Sequence, residues 1–174
     1  MTNITTLFLD AAVKQLEATY VPRIALALDT LPDGDLFWRP HPDSTSVGNL
    51  LKHLDGNVRQ WIVCGLGGAP DHRERATEFA IHPAIDETED RLYLKLKSTV
   101  SEACALIRKL PKRVLRATHE IQGFRTTGLE AVLHVVEHFG WHTGQIVWIA
   151  KQRAGAGHQL RLYDDAKLNL PTPT

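Results

Sequence analysis

Histidines at positions 134, 138 and 142 recur every four residues within HVVEHFGWHTGQ, a spacing that stacks imidazoles along one stripe of an α-helix. Neighbouring members of such a ladder can share one metal ion. All three cannot, because His134 and His142 are about 12 Å apart along a helix, whereas each metal–nitrogen bond spans about 2.1 Å. Two pairings follow. With His134 and His138 as ligands the segment reads H-x-x-E-H, the inverted zinc-protease motif with Glu137 as general base, and it needs a further acidic ligand, for which the chain beyond offers only Asp164 and Asp165. With His138 and His142 as ligands, Gly144 and Gln145 follow at once. The glycine allows close approach, and the Gln145 amide, one turn on, can hydrogen-bond a ligand or a bound water.

The remaining chemistry-bearing residues are less patterned. His41, His72, His82, His119 and His158 fall in turns, loops or the tail and are expected to be solvated. Cys64 and Cys104 are far apart, with no C-x-x-C, and read as core filler in a chain kept in a reducing compartment. Twenty Lys and Arg balance twenty Asp and Glu, so no net field draws the chain onto nucleic acid or an acidic membrane surface. Charges at Asp10 and Lys14 interrupt the N-terminus early, so neither a signal peptide nor a spanning helix is expected, and the expected location is the cytoplasm.

The elements that must position these groups are helical. The 174 residues, 43% hydrophobic, suit one domain with one core, without internal repeats. A first helix is predicted over 3–29, with Pro22 as a kink or break, followed by the Pro32-Asp33-Gly34 turn. A second runs over 47–64, capped by Ser44, Thr45 or Ser46 and carrying the stripe Val47, Leu50, Leu51, Leu54, Val58, Trp61, Ile62. Residues 69–85 read as a loop with about one helical turn, long enough to shape a rim. A third helix spans 86–110, with acidic residues in its first turn, basic ones in its last and Pro111 beyond. A short extended piece falls within 112–126, and Thr126 or Thr127 caps a last helix reaching Arg153. An extended C-terminal tail is expected to lie on the bundle. These segments imply an all-α four-helix bundle covering 1–174.

The pattern H-x-x-x-H-x-G-Q-I on the last helix, with S-V-G-N-L-L-K-H-L-D-G-N on an early one, resembles the DinB-like superfamily, which includes YfiT-like proteins. The stretches RERATEF and HTGQIVWIAK are similar to an uncharacterised subfamily within it, and the likeness runs from about Ser44 to Lys151. It implies a four-helix bundle with a three-histidine site for zinc or nickel, the ligands being His53, His138 and His142. Periodicity alone puts His53 on the flank of its stripe, so its ligand role is what the resemblance implies. His134 then becomes a supporting or core residue. Glu137 is open between a solvated helix face and a partner for a histidine. Arg73 and Glu78, from RERATEF, are candidates at the rim of the site.

Three neutral imidazoles leave a divalent ion its full charge and an open position, where a water or a thiolate can be activated. The resemblance implies an enzyme using this site on a small electrophilic substrate, by transfer from a low-molecular-weight thiol or by hydrolysis; Gln145 or Asn57, each about one turn beyond a ligand, is placed to orient the nucleophile. Trp141, Trp148 and Phe139 read as core or pocket wall. The alternatives are a metal-binding helical module without turnover, and a bundle whose role is association. A homodimer is expected, with neither nucleic acid nor membrane as partner.

Overall fold

The computed structural model describes residues 3–80, 84 and 87–163. The first helical stretch is α1 (Ile4–Val13), a π-helical segment (Lys14–Tyr20) and α2 (Val21–Leu28) in continuous succession. Asn3 caps it, its side chain accepting from the Thr5 N–H. Pro22 does not break the helix. It sits in the first turn of α2, where its missing N–H costs least, and the widened i→i+5 turns just before it shift the bonding register.

The second stretch is α3 (Val47–Val58) with a π-helical continuation (Arg59–Cys64). Ser46 caps it through a box shared with Asn49, which singles out one of the three predicted caps. A strap over 69–80 carries a single turn, α4 (Arg75–Glu78), and Thr88 then caps α5 (Glu89–Ile107). The predicted extended piece is more than that. Residues 112–127 form a helical turn, α6 (Lys112–Arg116), and an antiparallel hairpin of β1 (Thr118–Ile121) and β2 (Phe124–Thr127). Gln122 and Gly123 at its tip both have positive φ, 55° and 79°, the backbone a two-residue hairpin turn requires. The last helix, α7 (Gly128–Ala154), starts at a Thr127–Glu130 capping box and stops at Gly155, φ 72°.

The chain is mostly helical, with one small sheet among the described residues. Its core draws Leu16 and Ile24 from the first stretch, Leu51, Leu54 and Ile62 from the second, Leu96 and Ile107 from α5, and Phe139 and Ile146 from α7, all fully buried. α3 packs against both α5 and α7, and α2 against α7. The described part of the tail lies on this body: Leu160 is buried, Leu162 packs on the core, and Arg23 sits over the Tyr163 ring at 4.9 Å. The rest of the tail, including Asp164 and Asp165, lies outside the described residues, as does His82. Among the described residues no helix is long and apolar enough to cross a membrane.

Candidate metal centre

His53 comes from the middle of α3, and His138 and His142 from adjacent turns of α7. Their ring nitrogens lie within 4.8 Å of one another, close enough to hold one metal ion. His138 Nε2 is 3.0 Å from His53 Nε2 and 3.1 Å from His142 Nε2. The choice between ladder pairings falls to His138 and His142. His134 lies outside this cluster, its ring tilted 37° against Trp61 at 4.0 Å between centres and its Nε2 3.4 Å from the Asn57 amide nitrogen.

Two of the three rings have their tautomer fixed from behind. His53 Nδ1 is 2.8 Å from Glu78 Oε2. Burial would raise the Glu78 pKa, but hydrogen bonds from His53 and Arg73 outweigh it and hold Glu78 below the usual carboxylate range. An ionised carboxylate can only accept, so His53 Nδ1 carries the proton and Nε2 presents a lone pair to the site. His142 Nδ1 is 2.6 Å from Gln145 Oε1; an amide oxygen also only accepts, so His142 Nε2 is a second lone pair.

His138 Nε2 therefore faces two lone pairs and can give a proton to only one. Its own Nδ1 is buried without a hydrogen-bond partner. Protons alone leave at least two nitrogens of this cluster unsatisfied, and a cation at their centre would satisfy all three inward-facing lone pairs. Around an ion about 2.1 Å from each nitrogen, neighbouring ligands stand roughly 3.0–3.4 Å apart, and the two His138 pairs, at 3.0 and 3.1 Å, are within that range. The residues fit a divalent metal.

The clamp behind His53 is the part that sequence reasoning saw least well. Arg73 donates from Nε to Glu78 Oε1 at 2.7 Å and from Nη2 to Glu78 Oε2 at 2.9 Å, and the pair is buried, with side chains 5% and 7% exposed. Arg73 also reaches Gln60 Oε1 at 2.8 Å, Gln60 donates to Asp71, and Asn49 donates to the Glu78 carbonyl at 2.9 Å, pinning the strap onto α3. Arg73 and Glu78 are thus no solvated rim. His53 is buried, rather than on a flank facing water, because the strap covers its side of α3, with Phe79 at 4.9 Å from its ring. Gly56 makes room for this: a Cβ there would run into Glu78 Oε1 and Arg73 Nε. A glycine one turn after the histidine and an Arg–Glu pair in RERATEF were the available signals. A cleft of about 370 Å³ lies behind the clamp, and none of the three histidines lines it.

Other expected residues fall as follows. Asn57 is buried and directed to His134, with its Oδ1 unpartnered. Glu137 is exposed. Phe139 is fully buried, whereas Trp141 and Trp148 are 69% and 53% exposed and belong to neither core nor closed wall, because they lie on the solvent side of α7. His41 and His72 are exposed, as expected. His119 and His158 are half-buried: His119 Nε2–H donates to the Val114 carbonyl at 2.9 Å as α6 turns into the hairpin, and His158 is carried inward with the tail. Cys104 is buried and its thiol pushed up to about 12 by burial, while half-buried Cys64 donates to the Pro70 carbonyl, so neither thiol is poised as a nucleophile.

Burial, then the neighbouring His142, His53, His134 and Arg73, push His138 down to about 3. Burial also lowers His142, partly offset by Gln145, and lowers His134, partly offset by Glu137. These rings stay neutral in the folded state while the unfolded chain protonates them near 6.5. Their contribution to stability is therefore full above about 6.5 and lost as pH falls toward about 3. Metal-free protein is expected to melt progressively lower from pH 7.5 to 4.5, with a shallower fall in His138→Leu. A melting temperature that is flat over this range, or falls equally in both proteins, would contradict the placement of His138.

Fold and site define a mostly helical protein with a candidate three-histidine metal centre. The chain belongs to the family described as Protein of unknown function (DUF1572), which matches residues 3–161. No curated protein and no solved structure matches it.

Proposed function

We propose that this protein is a metal-dependent enzyme of the DinB-like superfamily, built as a four-helix bundle, in which His53, His138 and His142 hold one zinc or nickel ion. The carrying observation is the convergence of three Nε2 atoms, two of them locked as lone pairs by Glu78 and Gln145. When bound, such an ion acts as a Lewis acid that makes a thiolate or hydroxide available near neutral pH.

The chain's own residues do the rest. Glu78 keeps the His53 proton on Nδ1, and Arg73 balances the carboxylate's charge, so the site keeps three neutral donors. Gln145 does the same for His142, and Asn57 supports the His134 side of the site. The expected reaction is attack on a small electrophile, either thiol transfer or hydrolysis, in the cytoplasm. The test is a screen of low-molecular-weight thiols and water against small electrophiles, with metal-loaded wild type, chelator-treated wild type and His142→Ala. Turnover that needs metal and is lost in His142→Ala supports the reading. A metal-loaded protein that turns nothing over, and in which exchange-labile probes never reach the ion, favours a structural module.

A homodimer remains part of the proposal. Ile4 and Leu7 of α1, and Leu129 and Leu133 of α7, are large apolar side chains that are 43–78% exposed, around grooves lined also by Phe8 and Val136. Leu133→Glu is expected to shift a dimer to monomer in sedimentation velocity, and an unchanged coefficient would exclude this face.

A further inference from the structure

The chain has four tryptophans, and two of them are packed: Trp61 is buried and donates from Nε1 to Gln122 at 3.1 Å, and Trp38 carries the Arg153 guanidinium at 4.5 Å. The other two, Trp141 and Trp148, are 69% and 53% exposed, and among the described residues neither makes a hydrogen bond or a ring contact. They are not scattered. At i and i+7 around Gln145 they form one ridge of α7, directly beside the His134–His138–His142 ridge and on its solvent side. Gln145, in the middle of this ridge, already reaches His142 at 2.6 Å, which ties the ridge to the metal ligands. Seven residues of helix place the two positions about 10 Å apart along the axis of α7, on the same side of it.

We propose that Trp141 and Trp148 form an aromatic rim that selects substrates carrying a planar, uncharged ring, held against the indoles while the reacting group reaches the open position beside His138 and His142. The inference rests on the three-histidine metal reading and adds the substrate class. Indole faces are large and rigid, so they grip flat apolar groups at little entropic cost. Charge at the rim is balanced: Glu137 stands four residues before Trp141 and Lys151 three residues after Trp148, so neither an anionic nor a cationic ring is favoured.

The experiment uses two hydroxamates with the same metal-binding head, benzohydroxamate and acetohydroxamate, titrated against zinc-loaded wild type and the Trp141→Ala, Trp148→Ala double variant. Both positions are exposed, so the variant is expected to fold, with circular dichroism and metal content as controls. Wild type is expected to prefer benzohydroxamate by about tenfold, and the double variant to lose most of that preference while acetohydroxamate affinity and zinc content stay unchanged. An equal preference in both proteins overturns the rim and leaves the metal reading standing. Failure of wild type to retain zinc overturns both, whereas zinc retained with neither hydroxamate bound leaves the metal centre standing and overturns the rim. A wild-type dimer that becomes a monomer in the double variant assigns the tryptophans to a second copy of the chain and overturns the rim as well.

Discussion

His138→Leu is expected to retain no divalent ion where wild type takes up about one equivalent, and at the same time to melt close to metal-free wild type. Both effects come from the same atoms. His138 Nε2 is the common neighbour of His53 and His142, so its removal leaves two nitrogens with no shared third donor. The affinity loss should exceed the roughly hundredfold typical of losing only a ligand's partner. Without metal, however, the wild-type ring keeps an unpartnered buried Nδ1 and faces two lone pairs. Leucine, of similar size, removes that unsatisfied Nδ1, a penalty of about 1–3 kcal/mol, but it also removes the one proton the ring can give, so the second inward lone pair loses its donor and the two changes offset. Elemental analysis measures the first effect and thermal melting in chelator the second. If metal content is unchanged, the three-histidine centre is wrong; if the variant melts many degrees lower in chelator, His138 is well satisfied without metal and the lone-pair conflict is wrong.

Glu78→Ala is expected to cost about 3–5 kcal/mol of stability and to weaken metal binding about 10- to 100-fold. The substitution strips from Arg73 its carboxylate partner, leaving a side chain that is 5% exposed without that ion pair, and it frees His53 Nδ1. Glu78→Gln separates the two roles. Its amide oxygen can still accept from His53, while the ion pair with Arg73 is lost, so stability should fall more than metal affinity. Gly56→Ala tests the same clamp from beneath, because its Cβ would displace Glu78 and Arg73. Denaturant unfolding of metal-free protein and competitive metal titration read the two quantities independently. A Glu78→Ala protein with wild-type stability and affinity would show that the strap does not hold His53.

The sequence by itself determined whatever depends on near neighbours along the chain. The cap sites within 44–46 and 126–127, and the long helices over 47–64 and 128–154, follow from i to i+4 spacing and cap chemistry, which are local, while the structure picks Ser46 and Thr127. So does the adjacency of His138 and His142, since a helix stacks residues four apart wherever it is placed. The hairpin at 118–127 was half legible. Alternation marked an extended piece, but strand pairing needs both strands and a turn that a single run does not reveal. Tertiary structure alone decided that His53 meets the pair across the core, that Glu78 and Arg73 are buried behind it, and that Trp141 and Trp148 are left open. Local periodicity gives the direction of a side chain from its own helix axis; which chain segment covers that direction is set by packing between elements far apart in sequence.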